Sequence, residues 1–340
     1  MPNSTISQTE PIPLHRVAVV RPFTDFLEDI GAPVTRGLRQ AGLPYHALES
    51  VDNYIPSHRF WSFLINMSRS EGMEELGYYV GQRFAADSAD PHMADLLRRS
   101  PTLYQGILKA SALVNRTVTN CRWGIVQPRN RGYQRFYHRP SCKADNPAIE
   151  QIGWFGIMTL IGCVHVFTGP RWQPAEIGIM SDQAPCRYIR DRFSRTRMRL
   201  SQPYSYIALD NALLTLPPLP VKTAIPVSSP PCNEFVAEDF AGSLQQALLA
   251  YLQNGDLNIE IAAGLCNMSK RTLQRKLTEL GTSYTEVLNH ARFRVASRML
   301  QDPGMRVTDV AHRLGYSDVA HFSRAFRRIA GVSPSEYLQY

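Results

Sequence analysis

The chain has 340 residues, with 37 lysines and arginines against 29 aspartates and glutamates, for a net charge of +8. That length exceeds a single compact helical module and suffices for two domains with cores of their own, and the basic balance points to an anionic partner. Six scattered cysteines without a C-x-x-C pair suggest neither a disulfide framework nor a zinc site, and fit a reducing cytosol.

Residues 1–15 are polar, hold three prolines and show no basic stretch followed by an apolar one, so a disordered lead is expected and not a signal peptide. Residues 16–216 are read as an α+β domain. Its first part has helical periodicity, clearest over 56–70 and 102–116. From Cys121 the period changes to two: Trp123 and Ile125, a turn at Asn130-Arg131-Gly132, then Tyr133, Arg135 and Tyr137. Short strands near 175–180 and 205–208 complete a small sheet. The uncharged run 151–170 contains four glycines and His165, which favours a buried helix over a membrane span.

Trp123, Tyr133, Tyr137, His138, Trp154, His165 and Trp172 are candidates for lining a small-molecule pocket, although aromatics at such spacings more often form plain core. His138 with Cys142, and Cys163 with His165, lack a third ligand, so no metal and no cofactor is expected. A run of arginines at 187, 190, 192, 195, 197 and 199 is offset only by Asp191. Three readings stand for it: a solvated helix and strand edge, a surface for an anionic effector or acidic partner, and extra contact with a nucleic-acid backbone.

Residues 217–232, within LPPLPVKTAIPVSSPPC, are dense in proline and nearly uncharged, which predicts a stiff linker. Residues 233–340 follow as an all-α domain, nearly neutral with 12 basic against 11 acidic residues. Within it a helix, tight turn and second helix are spelled twice, at 259–284 and 307–337. Ala263 and Ala311 are small enough for the helix crossing, and Asn267 and Gly315 suit a turn with positive φ. Ser269 and Ser317 are placed to cap the next helix, a role that Asp318 shares.

The second helix of each copy carries Leu273-x-Arg275-x-Leu277 or Phe322-x-Arg324-x-Phe326, with the apolar residues at helical spacing facing the core. Facing outward are expected Lys270, Arg271, Gln274 and Lys276 in one copy, and Ala320, His321, Ser323, Arg324 and Arg327 in the other. Arginine pairs with guanine in the major groove, glutamine with adenine, and small apolar groups meet the thymine methyl; a basic solvated face is the plain alternative. Residues 284–301 have helical spacing and are read as one rod between the copies. Such a rod lets two recognition helices enter successive major-groove segments roughly 34 Å apart.

The stretch LGYSDVAHFSRAFRRIAGVSPSEY, and residues 233–340 as a whole, resemble the DNA-binding domain of AraC/XylS-type bacterial transcription regulators. The resemblance implies a seven-helix domain with two helix-turn-helix units that binds DNA as one module and usually bends it. By position it implies base contacts by Arg271, Gln274, Arg275, Ala320, His321 and Arg324, and phosphate contacts by Lys270 and Arg327. Arg275 and Arg324 have a second reading, as residues tying the recognition helix to its own domain. Residues 23–216 resemble the longer, arabinose-binding-type N-terminal region of a subgroup of these regulators. Ser100-Pro-Thr-Leu103, Pro174-Ala-Glu-Ile177 and residues 188–209 carry that likeness, and the arginine run departs from it.

The function this implies is a cytoplasmic, sequence-specific DNA-binding transcription regulator. It would be controlled by a small molecule and form a homodimer through the N-terminal domain, with double-stranded DNA and RNA polymerase as partners and no membrane. The alternative is control by a protein partner or by abundance. An enzyme fused to a DNA-binding domain is the reading from another class. No G-x-S-x-G, Walker A, G-x-G-x-x-G or H-E-x-x-H occurs, so no catalysis is expected.

Overall fold

In a computed structural model the described residues are 10–84, 91–128, 132–143, 145–220, 236–252, 257–302 and 304–337. In chain order they form β1 (Leu14–Arg16), α1 (Val17–Asp29), α2 (Val34–Gln40), β2 (Tyr54–Pro56), α3 (Ser57–Ser70), α4 (Leu76–Arg83), α5 (Pro91–Arg98) and α6 (Leu103–Thr117). There follow β3 (Cys121–Val126), β4 (Tyr133–Pro140), α7 (Ile149–Thr168), β5 (Glu176–Gly178), α8 (Arg187–Arg192), β6 (Arg197–Arg199) and β7 (Ser205–Asp210). The last stretch is helical: α9 (Phe240–Leu249), α10 (Ile259–Leu265), α11 (Lys270–Glu279), α12 (Tyr284–Met299), α13 (Val307–Arg313), α14 (Val319–Ala330) and α15 (Pro334–Tyr337).

Two compact units emerge, one from residues 18–41 and 59–235 and the other from residues 1–17, 42–58 and 236–340. The first is the α+β unit. Its sheet runs β3-β4-β7-β5-β6, with β5 and β6 parallel and the other neighbours antiparallel. Because side chains alternate across a sheet, the register decides what each face is made of. Trp123, Phe136, Ile177, Ile207 and Leu209 join one buried cluster with Trp154, Ile157, Leu160 and Ile161 of α7. The opposite face carries Tyr133, Arg135, Tyr206, Glu176 and Arg199.

The α7 helix satisfies the length and composition test for a membrane-crossing segment, yet most of it is buried inside this unit. Apolarity all round is what a helix covered on all sides requires. It runs against α4, where the backbones come so close that a Cβ on Gly77 would lie 1.9 Å from the Gln151 carbonyl oxygen. The Gln151 side chain locks the pair: Oε1 accepts from Gly77 N at 2.7 Å and Nε2 donates to the Glu74 carbonyl at 2.6 Å. At the start of α6, Thr102 caps the helix, its hydroxyl accepting from Gln105 N at 3.3 Å.

The second unit is built on α9–α15 and also takes in a β1–β2 ladder, with Leu14 opposite Pro56 and Arg16 opposite Tyr54. The Ser243 hydroxyl of α9 accepts from Ile12 N at 2.8 Å, and Tyr251 OH donates to the Gly42 carbonyl at 3.4 Å. Residues 221–232 of the proline-rich stretch, and residues 1–9 of the expected lead, lie outside the described residues.

Candidate nucleic-acid interface

Both turns of the second unit are closed in the same way. Asn267 and Gly315 hold left-handed backbone, at φ 53° and 76°, and the following amides, Met268 N and Tyr316 N, each reach back 3.0 Å to the carbonyls of Ala263 and Ala311. Those two alanines are buried at 3% and 0% exposure, so the helices cross where no larger side chain fits.

The caps differ between the copies. Ser269 caps α11, its hydroxyl accepting from Thr272 N at 3.2 Å. In the other copy Asp318 caps α14, accepting from Ala320 N at 2.9 Å, and Ser317 does not. The reason is one extra residue: Leu273 lies six positions after Asn267, whereas Phe322 lies seven after Gly315. The shift also makes Ser323 the counterpart of Gln274 and His321 that of Thr272. This was readable from the spacing.

Lys270, Arg271, Gln274 and Arg275 are all exposed on α11, as are Ala320, His321, Arg324 and Arg327 on α14. At 100° per residue each set falls on one side of its helix. Lys276 does not belong with them. It is 8% exposed, with its ammonium 4.1 Å from the centre of the Phe240 ring, and burial holds its pKa below the usual lysine value. A long lysine stem can cover apolar surface, which its charge in the sequence conceals.

Several exposed cations already have partners. Lys270 pairs with Glu260 at 2.6 Å, which lowers the Glu260 pKa, and Arg275 pairs with Glu279 one turn along at 3.3 Å. The second helix rests on an aromatic floor: Phe326 lies 4.9 Å from Phe293 and 5.4 Å from Tyr337, and His321 meets Tyr316 edge-on at 5.5 Å. The Arg292 guanidinium lies 4.8 Å over the same Tyr316 ring.

The rod between the copies is α12. It starts with a reciprocal capping box, in which the Ser283 hydroxyl accepts from Glu286 N and the Glu286 carboxylate accepts from Ser283 N at 2.8 Å. The same exchange recurs at the start of α15, between Ser333 and Glu336. The second helix of each copy thus ends at a glycine with positive φ, Gly281 or Gly331, followed by a capped helix.

Of the proposed pocket aromatics in the α+β unit, Trp123 and Trp154 are core, and His138 lies behind the sheet, fully buried. His165 is held by the Trp172 carbonyl, 3.0 Å from its Nε2. Tyr133 lines an open cavity, described below. No cluster able to hold a metal ion occurs among the described residues.

Residues 31–218 match the arabinose-binding domain of AraC transcription regulators, and residues 262–340 match a helix-turn-helix domain family. An uncharacterized HTH-type transcriptional regulator of Mycobacterium tuberculosis is 49% identical over 75 residues, 22% of either chain. The ornithine utilization regulator of Pseudomonas aeruginosa is 31% identical over 143 residues, 40% of this chain and 42% of that protein. The matched segments therefore span between about a fifth and two fifths of these relatives. Among solved structures, the transcriptional regulator CdpR of Pseudomonas aeruginosa aligns over 95% of this chain and 98% of its own, at 18% identity and a TM-score of 0.40.

Proposed function

The chain belongs to the AraC-type transcription regulators with an arabinose-binding-type N-terminal domain, and on that footing we propose that it binds promoter DNA through α11 and α14, under control of a small molecule held by the α+β unit. The observation that carries this reading is the pairing of two capped helices, each with an exposed polar face after a left-handed turn, joined by one continuous helix. Arg271, Gln274 and Arg275 on one helix, and Ala320, His321 and Arg324 on the other, are assigned to base edges. Lys270 and Arg327 are assigned to phosphates. The chain acts as a homodimer through its α+β unit, in the bacterial cytoplasm, with RNA polymerase as the further partner at the promoter.

The test uses full-length protein and the highest-affinity fragment selected from random duplexes. Gln274→Ala and His321→Ala each weaken that fragment by about 1 to 3 kcal/mol and leave non-specific DNA nearly unchanged. Equal losses on both kinds of DNA would remove the substituted residue from base reading.

A further inference from the structure

The arginines of residues 187–199 take no part in the two reading helices, and the sheet register shows where several of them gather. Arg135, Ala208, Glu176 and Arg197 stand side by side across β4, β7, β5 and β6, on the face turned away from α7. Glu176 is buried there. Its carboxylate accepts from Arg199 Nε at 2.7 Å and Tyr206 OH at 2.8 Å, with Tyr133 OH at 3.3 Å and the Arg135 guanidinium at 3.7 Å. Arg135 in turn lies 4.1 Å over the Tyr206 ring. Two guanidiniums therefore surround one carboxylate, and its charge is more than balanced.

Beside this cluster opens a cavity of about 520 Å³, with Ala208 in its floor and Tyr133, Arg195, Arg197 and Asp210 among its walls. That volume is within the range of small-molecule sites, and alanine at Ala208 leaves the space free. Arg195 and Arg197 are exposed, and among the described residues their guanidiniums have neither an ion pair nor a hydrogen bond. Asp210 shares the wall but, among the described residues, forms no ion pair with either of them; its Oδ1 accepts from Ala212 N at 2.9 Å and caps the turn that follows β7. Around the cavity four arginines face two carboxylates, both engaged. A guanidinium recognises a carboxylate through paired hydrogen bonds, so two free ones on a wall form a receptor for that group.

We propose that this cavity is the effector site and that its ligand is a small carboxylate-bearing molecule. Arg195 and Arg197 take the carboxylate, which lies against the open wall beside Ala208. The inference rests on the reading that the α+β unit senses a small molecule, and it adds both place and chemical class.

The experiment measures melting of the full-length protein with succinate, glutarate, glutamate and citrate at matched ionic strength, beside L-arabinose as a neutral probe. Ligand binding to the folded state alone raises the melting temperature. At least one carboxylate is expected to raise it by a few degrees, and Arg195→Gln/Arg197→Gln is expected to abolish that rise. The two side chains are exposed, so the unliganded double variant should melt where the parent does. A carboxylate shift that survives in the double variant overturns the site. Stabilisation by arabinose without any by the carboxylates overturns the ligand class while leaving small-molecule control standing, and no shift with any probe overturns both.

Discussion

Asn267 and Gly315 occupy the same corner of two turns and share the left-handed backbone, so one residue with a side chain and one without perform the same geometric task. Asparagine enters this region more readily than other residues with a Cβ, and branched residues enter it worst. Asn267→Gly is therefore expected to change stability by only a few tenths of a kcal/mol. Asn267→Val and Gly315→Val should each cost about 1 to 2 kcal/mol. Denaturant titration of full-length protein measures this, and an unaffected Gly315→Val would show that the turn relaxes without strain.

The extra residue in the second turn separates Ser317 from Asp318 in consequence. Losing a cap costs about 1 kcal/mol, and Asp318→Ala should show that loss. Ser317→Ala, exposed and not capping, should stay within a few tenths. The reverse order would return the capping role to Ser317.

Much of this architecture is legible in the sequence because it is periodic. The stretches 56–70 and 102–116 become α3 and α6, the alternation after Cys121 becomes β3 and β4, and 151–170 becomes the buried α7. Of the three-residue strands β5 is expected near 175–180, whereas β1, β2 and β6 escape, since so short a run has no period of its own. Arg197-Met198-Arg199 is held in the sheet by its parallel partner Glu176-Ile177-Gly178, a long-range pairing. Lys276 reads in the sequence as an outward cation for a related reason: the ring that covers it, Phe240, belongs to another helix.

Lys270 and Lys276 separate surface charge from buried charge. Each phosphate neutralised contributes about one to the slope of log affinity against log salt. Lys270→Ala should lower that slope by about one, whereas Lys276→Met should leave it unchanged. Glu260→Gln releases Lys270 from its 2.6 Å ion pair and removes a negative charge beside the DNA, so affinity for any sequence should rise. Filter binding across a salt series reads all three, and an unchanged slope in Lys270→Ala would take that residue off the backbone.

The join between α4 and α7 predicts a packing defect. A methyl group at residue 77 collides with main chain, which cannot swing aside as a side chain can, so Gly77→Ala should cost about 1 to 3 kcal/mol. Gln151→Leu should cost about as much by a different route, leaving Gly77 N and the Glu74 carbonyl without their partners. Thermal or urea unfolding checks both, and a neutral Gly77→Ala would mean that the two helices have room to part.

His138 sets an acid limit on the same unit. Burial alone pushes its pKa down to about 4 from an ordinary 6.5, and its Nδ1 has no hydrogen-bond partner. In the unfolded chain the ring takes up a proton as pH falls through 6.5, but in the folded protein it stays neutral until about 4. The unfolded state therefore binds more protons in this window, and stability falls steadily with pH across it, by roughly 3 kcal/mol in all. His165, also lowered chiefly by burial, adds to the trend in the same direction. His138→Leu removes the titrating group and should flatten most of the decline between pH 6.5 and 4, as read by urea unfolding at a series of pH values. A variant that loses stability as steeply as the parent would place the acid sensitivity elsewhere in the fold.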